Sequence, residues 1–124
     1  MKSSKQPKNP TNRIQKLNAL LQQEVGEIIQ PYLQPLGGLS TVSRVAVSGD
    51  SKWAQVWISI IGGDDDLILA ALRDNVYDIQ GELNRRIMIK MVPRLQFFLD
   101  TAPRYAQHID ELIRKVKEEE GGEE

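Results

Sequence analysis

The chain of 124 residues contains no cysteine and a single histidine. Without a thiol, disulfides, thiolate nucleophiles and zinc knuckles are excluded, and a reducing cytoplasm is the expected setting. His108 has no second imidazole for a metal site or a nucleophile relay, so it reads as a structural residue. Long apolar runs are missing too. VWISII (Val56 to Ile61) and LILAAL (Leu67 to Leu72) are six residues each, whereas a bilayer needs roughly 20. The opening MKSSKQPKNP has lysines but no apolar centre, which excludes a secretion signal. A soluble protein with no membrane partner is expected. Gly62-Gly63 lacks the lysine and spacing of a phosphate loop. The run Asp64-Asp65-Asp66 is explained by capping of a helix start, so no metal or other cofactor is expected. Nothing in the chain assembles a catalytic pocket, and we expect no enzyme and no small-molecule substrate.

What is present is segregated charge. The formal net charge of −1 conceals a basic end, with Lys2, Lys5, Lys8, Arg13 and Lys16 and no acid through residue 17. It also conceals an acidic end, EEEGGEE, with five glutamates from residue 118 onward. The expected organisation is a basic tail over 1–11, one domain over 12–117 and an acidic tail over 118–124, both tails flexible.

Periodicity gives the element order. Ile14, Leu17, Leu21, Val25 and Ile28 recur at helical spacing after a start at Thr11 or Asn12, and this helix is expected to stop before Pro31. Two β-branched strands follow, TVSRVAVS and WAQVWISI, joined by Gly49-Asp50-Ser51-Lys52 as a hairpin. In the second strand Ala54, Val56, Ile58 and Ile60 share one face, with Trp53, Gln55, Trp57 and Ser59 on the other. The apolar stripe Ile68, Leu72, Val76, Ile79, Leu83 and Ile87 predicts a long helix, with a kink or break expected between Arg73 and Asp78, where helix formers are poor. RLQFFLD reads as a third strand behind Pro93. A last helix capped by Thr101 is expected to turn Tyr105, Ile109, Leu112 and Val116 inward.

This order resembles the type II KH fold: α+β, with a three-stranded sheet covered on one face by helices, in the sequence α-β-β-α-α-β with the helical pair kinked, plus a C-terminal helix. More specifically, NRIQKLNALLQQEVGEII, VSRVAVSGDSKWAQVWIS and MVPRLQFFLDTA resemble the opening helix, hairpin and P-x-L-x-F strand of the ribosome-binding factor A family. Asp50, Ala54 and Val56, and Pro93, Leu95 and Phe97, stand at the characteristic places. The family's Ala-x-Gly kink, followed by an apolar residue and a base, aligns with Asn75-Val76-Tyr77-Asp78-Ile79-Gln80. Here Tyr77 replaces the glycine and Gln80 the base, which lowers the expected phosphate affinity.

The resemblance implies a monomeric cytoplasmic assembly factor that binds the 30S subunit or its precursor. It further implies contact with 16S rRNA near its 5′ region and support of its late maturation and processing. The alternative is a KH-like protein–protein interaction module without direct rRNA contact. Candidate RNA-binding residues are Arg85, Arg86, Lys90 and Arg94, with Arg13 and Lys16 on the first helix and Asn75 and Gln80 in the kink segment. Clustered cations gain by releasing counterions from RNA. Against this, Glu82 and Arg86 are spaced to pair on a helix. Trp53 and Trp57 either stack with unpaired bases or are covered by a helix or loop, the latter being preferred in this fold.

Overall fold

A computed structural model describes residues 10–103 and 109–116. The first apolar stripe forms α1 (Pro10–Leu33) and buries Leu21, Val25, Ile28 and Ile29. The helix does not stop before Pro31; it runs through the proline to Leu33. Proline inside a helix costs about 3 kcal/mol. Burying Leu33 recovers about 1.5–3 kcal/mol, an amount of the same order.

Strands β1 (Leu39–Val47) and β2 (Trp53–Ile61) pair antiparallel, and β3 (Arg94–Leu99) joins β2 in parallel, giving the order β1-β2-β3. The hairpin turn is held by Asp50, whose carboxylate accepts from the Ser48 hydroxyl at 2.6 Å and the Lys52 amide at 3.1 Å. Those bonds favour the charged form and hold the Asp50 carboxyl below its ordinary range. Between β2 and β3 lie α2 (Asp65–Asp74) and α3 (Val76–Arg86). Asp64 caps α2 by accepting from the Leu67 amide at 3.1 Å.

All three helices contribute to one core against a single face of the sheet. Ala54, Val56, Ile58 and Ile60 meet Ile68 and Leu72 of α2, Ile79 and Leu83 of α3, and the buried stripe of α1. The break between α2 and α3 falls at Asn75, whose side-chain amide donates to the Ala71 carbonyl at 2.7 Å. Gly81 lies inside α3 and does not interrupt it.

A β-bulge at Ser43 reverses the phase of β1. Ser40 and Val42 point toward the helices before it, Val45 and Val47 after it, and the pairing jumps from Val42↔Ile58 to Arg44↔Trp57. The Ser43 hydroxyl donates to Asp100 Oδ2 at 2.5 Å and lies 3.2 Å from the Trp57 carbonyl, tying the end of β3 to β1.

Both outer edges of the sheet are closed by helix side chains. Along β1, Asn18 accepts from the Val47 amide, while Gln22 and Gln30 donate to the Val42 and Ser40 carbonyls. Along β3, Gln80 accepts from the Leu95 amide at 2.9 Å and donates to the Pro93 carbonyl at 3.0 Å, and Arg73 donates to the Phe97 carbonyl at 2.8 Å. These bonds leave fewer edge groups free to recruit a further strand.

Residues 109–116 are helical as expected; Ile109 is half-buried, but Leu112 and Val116 are not packed inward, being 45% and 52% exposed. An amphipathic stripe sets which side chains align, not what they dock on. Tyr105 and His108 lie outside the described residues. Among the described residues no helix is long and apolar enough to cross a membrane.

Candidate nucleic-acid interface

The basic residues at the end of α3 and in the following connection differ in what already holds them. Arg86 is the most engaged. Its guanidinium donates to Glu82 at 3.1 Å, Glu24 at 3.2 Å and Glu27 at 2.9 Å, linking α3 to α1. These carboxylates, Glu82 foremost, raise its pKa further, and its charge is balanced within the domain. Arg85 meets Glu82 alone, at 2.8 Å, with its side chain 72% exposed. The two arginines together, Arg85 first, hold the Glu82 carboxyl below its usual range. Such an exposed pair contributes little to stability and exchanges readily for a phosphate.

Lys90 is exposed in the connection between α3 and β3 and makes no ion pair among the described residues. Exposed apolar residues Met88, Ile89 and Met91 surround it in sequence. Arg94 opens β3 on the face opposite the helices, its guanidinium 5.9 Å from the centre of the Trp53 ring. Arg13 and Lys16 are exposed on α1. Asn75 and Gln80 are half-buried and engage the backbone with their amides, Asn75 at the break and Gln80 along the edge of β3.

The two tryptophans have separate surroundings. Trp57 stacks on Phe98 with centroids 5.1 Å apart and carries the Arg44 guanidinium at 4.5 Å. Trp53 is 42% exposed, so the covering expected for it is not found among the described residues. The open sheet face thus pairs cations with aromatic rings, an arrangement suited to phosphate and base contacts alike.

The family model described as ribosome-binding factor A matches residues 13–113, most of the chain. The chain belongs to the ribosome-binding factor A family. A ribosome-binding factor A of Chlorobium luteolum is 36% identical over 115 residues, covering 90% of this chain and 97% of the relative. That of Roseiflexus sp. is 37% identical over 117 residues, covering 88% and 87%. Among solved structures, the crystal structure of ribosome-binding factor A from Thermus thermophilus superposes with a TM-score of 0.63 at 28% identity, over 69% of this chain and 94% of that one. A Thermus thermophilus homology model of the factor, fitted into a cryo-EM map of its complex with the 30S subunit, superposes at 0.61 and 28% identity over 68% and 91%.

In this family member, the residues that sequence reasoning missed are Arg44 and Lys52. Arg44 is placed by the bulge, which the pattern of β1 alone does not reveal. Lys52 precedes Trp53, and its carbonyl accepts from the Arg94 amide at 2.9 Å, so the parallel β2–β3 register brings three chemically useful side chains together.

Proposed function

We propose that this protein is an assembly factor that binds the 30S subunit or its precursor and contacts 16S rRNA near its 5′ region during late maturation. The observation that carries the proposal is the superposition on 91% of a Thermus relative that is fitted into a 30S complex. The exposed cations Arg85, Lys90 and Arg94, with Arg13 and Lys16 on α1, supply a phosphate-contacting surface on a KH-like frame. Arg86 contributes indirectly, by fixing α3 to α1. The factor works without making or breaking a bond: it favours the RNA arrangement it fits and leaves when the mature arrangement no longer fits. It acts as a monomer in the cytoplasm.

Purified small subunits test the reading by cosedimentation across a range of salt concentrations. Binding weakens steeply with salt, and Arg85→Ala and Lys90→Ala each make the log–log slope shallower by roughly 0.7–0.9 per lost phosphate contact. The exposed Met88, Ile89 and Met91 favour one competing reading, a protein-contacting module. It requires salt-insensitive binding that is lost on Met88→Ser and unaffected by Arg85→Ala.

A further inference from the structure

Trp53 lies in the wall of a cleft of about 370 Å³ whose other walls are Lys52, Met91, Val92 and Arg94. The cleft thus has one aromatic plate, two cations, two apolar side chains and no carboxylate. Trp53, Val92 and Arg94 also line an adjoining hollow of about 520 Å³, with Tyr77, Gln80 and Asn84 of α3 among its walls. The cleft therefore continues toward the helix that carries Arg85. We propose that it holds one unpaired RNA nucleobase, stacked on Trp53, with Lys52 and Arg94 on the flanking phosphates. This rests on the rRNA-binding reading and deepens it by assigning the cleft to a single-stranded nucleotide.

The Arg94 guanidinium lies over the Trp53 ring, 5.9 Å from its centre, so a base stacks on the other face of the ring or takes the place of the guanidinium, which then turns to the flanking phosphate. The positive lining complements a phosphodiester chain and disfavours a basic peptide. Trp57, by contrast, already has Phe98 and Arg44 against it, leaving Trp53 as the more available plate. No side-chain amide lines the cleft itself; in the adjoining hollow the Gln80 amide is engaged by β3 and by the Asn84 side-chain oxygen. Stacking alone tolerates any base.

The test uses the full chain and three probes: a single-stranded oligoadenylate, an abasic strand of the same length, and a duplex RNA. The protein has two tryptophans, so in a Trp57→Phe background fluorescence reports Trp53 alone. Oligoadenylate quenches it, whereas the abasic strand and the duplex do not. Base stacking on an aromatic is worth about 1–3 kcal/mol, so Trp53→Ala weakens oligoadenylate binding about 5- to 150-fold. Trp53→Phe retains most of the affinity. Trp53→Leu, which keeps apolar bulk at the head of β2, loses affinity as alanine does, so a folding defect in the alanine variant leaves the test intact.

Equal binding of the abasic strand and oligoadenylate, or full affinity in Trp53→Leu, overturns the assignment. So does a Trp53→Leu protein that binds oligoadenylate normally but loses the small subunit, which identifies a protein contact instead. If Arg85→Ala and Lys90→Ala reduce salt-dependent subunit binding while Trp53 variants change nothing, the cleft fails and the wider RNA surface stands. If none of these variants affects subunit binding, both fail.

Discussion

Replacing Gln80 with alanine separates a structural role from RNA contact at a position that lies in the family's kink segment. In the fold its amide closes the edge of β3, accepting from Leu95 N–H at 2.9 Å and donating to the Pro93 carbonyl at 3.0 Å. A hydrogen bond of this kind contributes about 0.5–1.5 kcal/mol net. The site is half-buried, so water replaces part of what is lost, and the expected cost of Gln80→Ala is about 1–2 kcal/mol. For a domain of this size that lowers Tm by roughly 4–16 °C, at about 4–8 °C per kcal/mol. Urea unfolding measures the loss directly, as a lower midpoint at unchanged m-value. Gln80→Glu keeps the acceptor for Leu95 but cannot donate to Pro93 when ionised, so it recovers at most half of the stability. Small-subunit affinity of the folded variant stays close to wild type. A Gln80→Ala protein that unfolds with wild type but binds subunits about tenfold more weakly refutes the edge-closing role and makes Gln80 a contact residue.

Two glycines are expected to respond in opposite directions. Gly38 has φ +74°, and a Cβ there comes within 2.8 Å of the Gly63 backbone, so Gly38→Ala costs at least about 2 kcal/mol in denaturant unfolding. At Gly81 a Cβ meets only Arg85 Nη1 at 3.7 Å, and Gly81→Ala stabilises by about 0.5–1 kcal/mol through helix propensity. Asp100 gives a pH signature. The Ser43 hydroxyl, then the Ala102 amide, hold its carboxyl below the ordinary value of 3.8. A depressed folded-state pKa means stabilisation that is present above the unfolded value and lost as pH falls through the folded one. Asp100→Asn is therefore less stable than wild type at neutral pH, and the gap in urea midpoint closes as the pH is taken below 3.8. A gap that persists in acid rules out the carboxylate as its source.

The parts of the fold set by local repetition were legible in the sequence. Alternation in β2 and the helical stripes of α1, α2 and α3 assigned the buried side chains, and the poor helix formers after Arg73 marked the break found at Asn75. Features that depend on contacts between distant segments were not. Pro31 stays in α1 because Leu33 is buried, and the bulge at Ser43 is stabilised by Asp100, far along the chain. The candidate site follows the same division. The pairing of Arg86 with Glu82 was readable from helix spacing, but its bonds to Glu24 and Glu27 require α1 to lie beside α3. Arg94 beside Trp53 requires the parallel β2–β3 register, and nothing local to either residue encodes it.

The proposed function has this protein travel with the small ribosomal subunit through a cationic, RNA-facing surface. Gradient fractionation of a cell extract tests it most directly, comparing wild type with the Arg85→Ala/Lys90→Ala double variant. Wild-type protein is expected with free small subunits and their precursors at low salt, moving to the top as salt rises, with the double variant at the top throughout. Wild-type protein free at low salt, or migrating with translating ribosomes instead of small subunits, contradicts the account.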